Sequence, residues 1–185
     1  MTSHNFLKII LTPMTKIIGP EKASKESVKR WIERGWIRKE FEEEYEHIDR
    51  VFPRDYEGYP YITKEQFAAP IRRVCKKRGI DSREIIEKFD IVDEDNFPVN
   101  YIRIPEYPLV ASRAILDIDS GKPETLETYE YIDSTFKIPI LIETTMNPLE
   151  FSAILAEAGK RYGLFGKTKK GYGLFVIEVL ADESS

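Results

Sequence analysis

The chain of 185 residues is poor in the residues on which many enzymes and secreted proteins depend. Its single cysteine, Cys75, excludes an internal disulfide and a cysteine-rich zinc site. We expect Cys75 to be a small buried residue of a helix, and its isolation favours a cytoplasmic protein. The only histidines are His4 and His47, and no apolar run is long enough to span a bilayer, so no membrane association is expected.

Positive charge is also scarce, because the formal net charge is −4. A protein that coats nucleic acid through a uniformly basic surface is therefore excluded. The charge is unevenly distributed, however. Residues 159–180 hold five basic side chains and one acidic side chain, a local charge of +4, so the remainder carries −8. A basic end on an acidic body is typical of a localised anion site, and it also fits an ordinary solvated turn.

The most informative stretch is the glycine-rich segment 163–173, which joins a predicted helix to a predicted last strand at 174–180. Glycine lets a phosphate approach the backbone closely, and lysines beside it attract anions. The candidate nucleic-acid-binding residues are Lys160, Arg161, Gly163, Gly166, Lys167, Lys169, Lys170, Gly171, Tyr172 and Gly173. Tyr172, Phe165 or Tyr162 would stack on the bases of a single strand. The alternative is a β-turn with solvated lysines.

Hydrophobic patterning predicts an α+β protein. Helices are predicted at 24 to about 48, at 63–79, at 81–89 and from Asn147 onwards. Gly35 could divide the first helix, and Thr63 with Gln66 forms a capping box at the start of the second. The predicted strands are 6–18, 99–104, 109–118, 129–144 and 174–180. This order fits a ferredoxin-like sheet of the split βαβ type. We expect a single domain, 1–185, with a helical insertion at about 24–90 between the first strand and the remaining strands.

The exposed side of the helix that starts at Thr63 is strongly basic. It carries Arg72, Arg73, Lys76, Lys77 and Arg78. Such a cluster could contact phosphates, but positive charge late in a helix is also favoured by the helix dipole. Both interpretations stay open at this point.

The segment Gly166-Lys-Thr-Lys-Lys-Gly171-Tyr172-Gly173, after a helix ending in Lys160-Arg161, resembles the glycine-rich loop of the RAMP superfamily. These CRISPR RNA-binding proteins have ferredoxin-like, RRM-like domains, and uncharacterised phage-encoded proteins carry a similar C-terminus. The resemblance is confined to the last part of the chain. It implies binding of RNA through backbone contacts at the loop, assembly along RNA into a ribonucleoprotein with possible self-association, and, in some members, metal-independent RNA cleavage.

Catalysis has less support in the sequence than binding. A general base for RNA cleavage is commonly histidine, but His4 lies near the terminus and His47 follows Glu43 at the spacing of a helix-surface pair. Asp117 and Asp119 share one face of a predicted strand without an identified third ligand. We therefore expect the acids of this region, which also include Glu124, Glu127 and Glu130, to be exposed side chains at strand ends. No catalytic residue, metal site or cofactor is therefore assigned.

The leading interpretation is a nucleic-acid-binding protein whose partner is single-stranded RNA, or else single-stranded DNA. A protein-interaction or structural protein, such as a viral one, is the competing class. In that case the acidic run at 40–46 and the aromatic residues at 56–61 of this chain would bind a basic partner. A metal-independent endoribonuclease is the second alternative.

Overall fold

The computed structural model describes residues 4–166 and 171–180. In chain order the strands and helices are β1 (Asn5–Pro13), β2 (Ile17–Ile18), β3 (Glu21–Lys22), α1 (Lys25–Arg34), β4 (Arg50–Val51), β5 (Tyr61–Thr63), α2 (Lys64–Arg78), α3 (Arg83–Ile86), β6 (Phe89–Val92), β7 (Pro98–Val99), β8 (Tyr101–Arg103), β9 (Leu109–Leu116), β10 (Pro123–Ile132), β11 (Ile138–Thr144), α4 (Pro148–Arg161) and β12 (Phe175–Val179). The predicted α+β class is confirmed.

The chain divides into two compact units, each made of segments that are distant in sequence. Unit 1 comprises Met1–Ile17, Ile62–Arg103 and Asp133–Ser185, and unit 2 comprises Ile18–Tyr61 and Ile104–Ile132. In the stretch predicted as a helical insertion, α1 and α2 alternate with short strands. No helix of the described part is long and apolar enough to cross a membrane.

Unit 1 is built on a five-stranded sheet in the order β12-β1-β11-β6-β7, in which all neighbours are antiparallel. The strand β1 lies between β12 and β11, and it pairs with β11 from Asn5↔Thr144 to Leu11↔Ile138. Its side chains alternate with period two, and Leu7, Ile9 and Leu11 are buried. One face of this sheet therefore belongs to the core of unit 1.

The helices α2 and α4 contact each other and the sheet of unit 1. From β6, the Phe89 ring lies 6.3 Å from the Phe67 ring of α2 and 5.1 Å from the Phe151 ring of α4, measured between centroids. These edge-on and tilted geometries are favourable for aromatic pairs. Cys75 is fully buried on α2, as predicted.

Local capping sets the bounds of both helices, as the sequence predicts. Thr63 and Gln66 exchange side-chain-to-backbone hydrogen bonds at the start of α2. Gly79 ends α2 in the left-handed conformation, with a φ of 71°. At the start of α4, the Asn147 side chain accepts from the backbone N–H of Leu149 at 2.9 Å.

The helix predicted to run from Ser24 to about Ile48 is shorter. It ends at Arg34, because Gly35 adopts a left-handed φ of 71° and its N–H donates to the carbonyl of Ile32. Two 3-10 turns follow, Lys39–Phe41 and Glu44–His47. The glutamates of the acidic run 40–46 are exposed, as expected.

The sequence pattern does not predict the long β-hairpin that β9 and β10 form. The strand β10 begins at Pro123 and pairs antiparallel with β9, where the sequence predicts a turn and exposed acids. The predicted strand 129–144 is in fact the end of β10 and all of β11, separated by a turn in which Asp133 accepts from Thr135. The first residues of β10 are exposed in succession, so they lack the alternation that identifies a half-buried strand.

Unit 2 contains a second sheet, in the order β2-β10-β4-β3, with β9 paired to β10. Its apolar core packs α1 and the two 3-10 turns together with Val51 and Val110. The buried members are Val28, Trp31, Ile37, Tyr45, Ile48, Val51 and Val110.

A buried ion pair lies within unit 2. The Arg54 guanidinium binds both carboxylate oxygens of Glu130, at 3.0 and 2.5 Å, and the two side chains are 1% and 0% exposed. The same carboxylate accepts from the Tyr45 hydroxyl and, at 2.8 Å, from the backbone N–H of Phe52. Glu130 is thus not one of the exposed strand-end acids that the sequence predicts. Its partners all lie far from it in the chain.

The pKa shifts agree with this arrangement. Burial, followed by the charge of Glu130, raises the pKa of the Tyr45 hydroxyl far above its ordinary value, so it remains a proton donor. Burial acts to lower the pKa of the Arg54 guanidinium, but the Glu130 carboxylate outweighs it and the pKa is raised. Arg54 also lies 4.5 Å from the Trp31 ring centroid. The pair therefore links β10 to the core of unit 2.

The substitution Glu130→Gln leaves the buried charge of Arg54 without a carboxylate. We expect the free energy of unfolding to fall by about 3–5 kcal/mol, measured by urea unfolding. Glu127→Gln is the matched control on the same strand, because Glu127 pairs with Arg113 at a partly exposed site. We expect that change to cost less than about 1 kcal/mol. Equal losses in the two variants would contradict a structural role for the buried pair.

Candidate nucleic-acid interface

The glycine-rich segment emerges directly from the last turn of α4. Tyr162 and Gly163 donate their backbone N–H groups to the carbonyl of Ala158, at 3.0 and 2.8 Å. Lys160 and Arg161, predicted as site residues, belong to this last turn and are exposed. The helix therefore presents two cations immediately before the loop.

The two ends of the loop are held together through glycines. The N–H of Leu164 donates to the carbonyl of Gly173 at 2.9 Å. A Cβ atom on Gly163 would lie 2.3 Å from that carbonyl oxygen, and a Cβ atom on Gly173 would lie 2.4 Å from the carbonyl oxygen of Leu164. Both glycines have positive φ, 62° and 91°. They are required for the close approach of two backbone segments.

The turn between β1 and β2 is hydrogen-bonded to the end of the loop. The carbonyl of Leu174 accepts from the N–H groups of Met14 and Thr15, at 2.8 and 3.2 Å. The Leu174 N–H donates to the Thr15 hydroxyl at 3.0 Å. The N–H of Gly173 donates to the carbonyl of Lys16 at 2.9 Å. The turn after β1 and the glycine-rich segment, far apart in sequence, therefore meet at one place.

The tip of the loop differs from its base. Gly166 and Gly171 also have positive φ, 67° and 81°, but a Cβ atom on either would meet nothing within 4 Å. Tyr172 is half-buried. The predicted contacts Lys167, Lys169 and Lys170 lie outside the described residues.

Basic residues of α2 lie beside the end of α4. The Arg73 guanidinium lies 4.5 Å from the centroid of the Tyr162 ring. Arg78 and Arg161 pair with the same carboxylate, Glu157, at 2.6 and 3.5 Å. The sequence identified the α2 cluster and the loop separately, and the structure brings parts of the two together.

The residues considered for catalysis have local partners or are exposed at the surface. His4 Nδ1 lies 2.7 Å from Glu143, and His47 is exposed in a 3-10 turn. Asp117 accepts from the N–H of Asp119 at 3.2 Å in the turn after β9. Within residues 4–166 and 171–180, no group of three or more histidine, cysteine and acidic side chains is placed to hold a metal ion.

Unit 2 has a cleft of about 440 Å³ that the sequence did not indicate. Among its lining residues are Arg30, Arg34, Trp36 and Tyr56, and the Arg34 guanidinium lies 4.9 Å from the Trp36 ring centroid. Acidic side chains line the cleft as well, namely Glu21 and Asp55. Their negative charges offset the positive charges of Arg30 and Arg34, so the lining of the cleft is of mixed charge and not predominantly basic.

We expect Gly163→Ala to destabilise the protein more than Gly166→Ala. Alanine at 163 adds a clash with the Gly173 carbonyl to the cost of a left-handed conformation, a combined loss of about 2–4 kcal/mol. Gly166→Ala, in the same loop, has only the conformational cost of about 1 kcal/mol. Urea unfolding measures both losses. Equal losses would show that the close approach at the loop base does not contribute to stability.

Comparison with known proteins gives a likeness of fold. No family model and no curated protein matches the sequence. A chain of the cryo-EM structure of the type III-B Cmr-beta bound to cognate target RNA is 14% identical over 96% of this chain, with a TM-score of 0.57. This chain spans 61% of that chain's length. A chain of the apo Cmr-beta structure is 15% identical, with a TM-score of 0.55, over 96% of this chain and 98% of its own length. The fold of this protein is thus similar to that of chains from type III-B Cmr structures.

Proposed function

We propose that this protein binds single-stranded RNA through contacts between the phosphate backbone and the glycine-rich loop. The observation that carries the proposal is the closed loop base, in which Leu164 is hydrogen-bonded to Gly173 directly after the exposed Lys160 and Arg161. A phosphate can approach the glycine backbone at the open tip, while lysine and arginine side chains supply the attraction. The local charge of +4 at 159–180 contrasts with −8 elsewhere and supports a localised site.

The fold supports a RAMP-like assignment. The strands β1, β6, β11 and β12 with the helices α2 and α4 follow the split βαβ order, and we propose that they form a ferredoxin-like core. In that core α2 is one of the two helices. The insertion predicted at about 24–90 would then be confined to residues 18–61. The similar fold of chains in Cmr structures, one of them bound to cognate target RNA, is consistent with a subunit that assembles on RNA.

A protein-interaction role is the second candidate, and one observation favours it. The glutamates at 40, 42, 43, 44 and 46 are all exposed in unit 2, and Tyr56 is 79% exposed. An acidic surface with an exposed aromatic side chain would suit a basic protein partner. RNA binding and this role make opposite predictions for a binding assay.

The test is the binding of labelled single-stranded RNA, single-stranded DNA and duplex, measured by fluorescence anisotropy as salt rises. We expect single-stranded RNA to bind most tightly. Replacing Lys167, Lys169 and Lys170 by alanine should weaken binding and lower the salt slope by about 2, since each single-strand phosphate contact contributes about 0.7. The matched control replaces Lys22, Lys25 and Lys29, three exposed lysines of unit 2.

Two results would contradict the proposal. No binding to any of the three nucleic acids at low salt would favour the protein-interaction role. Equal weakening in the loop variant and the control would show that net charge, rather than the loop, governs binding.

A further inference from the structure

The end of α2 contributes to the same surface as the end of α4. The Arg73 side chain is exposed and lies 4.5 Å from the centroid of the Tyr162 ring, one residue before the loop. A guanidinium at this distance from an aromatic ring makes a favourable cation–π contact. Tyr162 is half-buried, so the contact holds a ring that remains partly accessible. An arginine of one helix thus orders an aromatic side chain of the other.

Two further arginines converge on one acid. Arg78 of α2 and Arg161 of α4 both pair with Glu157, and their side chains remain 43% and 52% exposed. One carboxylate neutralises one of the two charges, so a positive charge remains at this point. The guanidinium groups are also held in place before any ligand arrives, which lowers the entropy lost on binding.

The surface formed by these residues is strongly positive. We call it the two-helix surface. Arg73, Arg78 and Arg161 define it through these contacts, and Lys76, Lys77 and Lys160 are exposed in the last turns of the same two helices. Six positive charges with the single charge of Glu157 leave +5. Each helix dipole favours cations at its own C-terminus. The dipole explains the cations at each helix end separately, but it does not explain why the two sets lie side by side. Binding of a ligand with regularly spaced negative charges would explain that arrangement.

We propose that the two-helix surface is the second half of the RNA site, and that Arg73 and Arg78 of α2 bind phosphates of a single strand that continues from the loop. This inference rests on the proposed function, and it extends the site to residues outside the glycine-rich motif. Paired phosphate-binding arginines beside a partly accessible tyrosine suit an unpaired strand, whose bases are free to stack. A duplex has its bases already stacked and does not use the tyrosine.

The same region of the chain offers a matched control. Arg72 is the neighbour of Arg73 but pairs with Glu65 at 3.1 Å, and Arg83 pairs with Asp81 at 3.0 Å. Neither contact involves α4. The double variants Arg73→Ala/Arg78→Ala and Arg72→Ala/Arg83→Ala therefore each remove two positive charges. Only the first changes the two-helix surface, and the second removes its charges from α2 and α3 away from that surface.

The experiment measures single-stranded RNA binding by anisotropy over a salt series. Arg73→Ala/Arg78→Ala should raise the Kd at least about tenfold and lower the salt slope by about 1.4, two contacts of about 0.7 each. The Arg72→Ala/Arg83→Ala control should change neither beyond a factor of about two. The preference for single strand over duplex should also shrink in the first variant. Unfolding midpoints show whether each variant is folded.

The double variant Arg73→Lys/Arg78→Lys guards against a purely structural effect. It keeps both charges but not the planar guanidinium groups, so we expect the salt slope to recover while the preference for single strand stays reduced. Equal slopes in the two alanine variants, with binding still lost on replacement of the loop lysines, would overturn this inference and leave the proposed function standing. An absence of RNA binding by the unmodified protein would overturn both.

Discussion

The glycine-rich loop depends on one close contact between two stretches of backbone. The carbonyl oxygen of Gly173 occupies the position in which a side chain on residue 163 would begin, 2.3 Å from an ideal Cβ. Only glycine permits this, and the reciprocal approach to Leu164 makes the same demand on Gly173. Since Gly173 also donates to Lys16, this contact fixes the loop relative to α4 and the turn that follows β1. Backbone groups thus position the base of the loop.

The chain uses arginine in two different ways. Arg54 is buried, and the carboxylate of Glu130 compensates its charge within unit 2. Such a pair positions elements but attracts nothing from solution, because the opposite charges lie together. Arg73 and Arg78 instead stay exposed. The number of basic residues in the sequence therefore overstates the charge available to a partner, and their location in the fold decides which of them can serve.

The parts of the structure that depend on local chemistry were predictable from the sequence. The Thr63–Gln66 capping box and the asparagine cap of α4 lie where their side chains predict them, because a cap involves residues a few positions apart. The parts that depend on distant partners were not. Glu130 looks like any other acid of a strand rich in glutamate, and its buried partner is 76 residues away in the chain. For the same reason the sequence does not predict the contact of Arg73 with Tyr162, although it singles out each residue.

The order of the strands in unit 1 has a consequence for folding. The strand β1 begins at Asn5, and its two neighbours, β11 and β12, end at Thr144 and Val179. Contacts of such long sequence separation form slowly, because the intervening chain must be closed into a loop first. During synthesis β1 emerges long before either neighbour exists, and its edges stay unpaired until β11 follows. Nascent chains of this protein therefore lack a partner for β1 until β11 has been made, a state that favours aggregation unless a chaperone covers the strand.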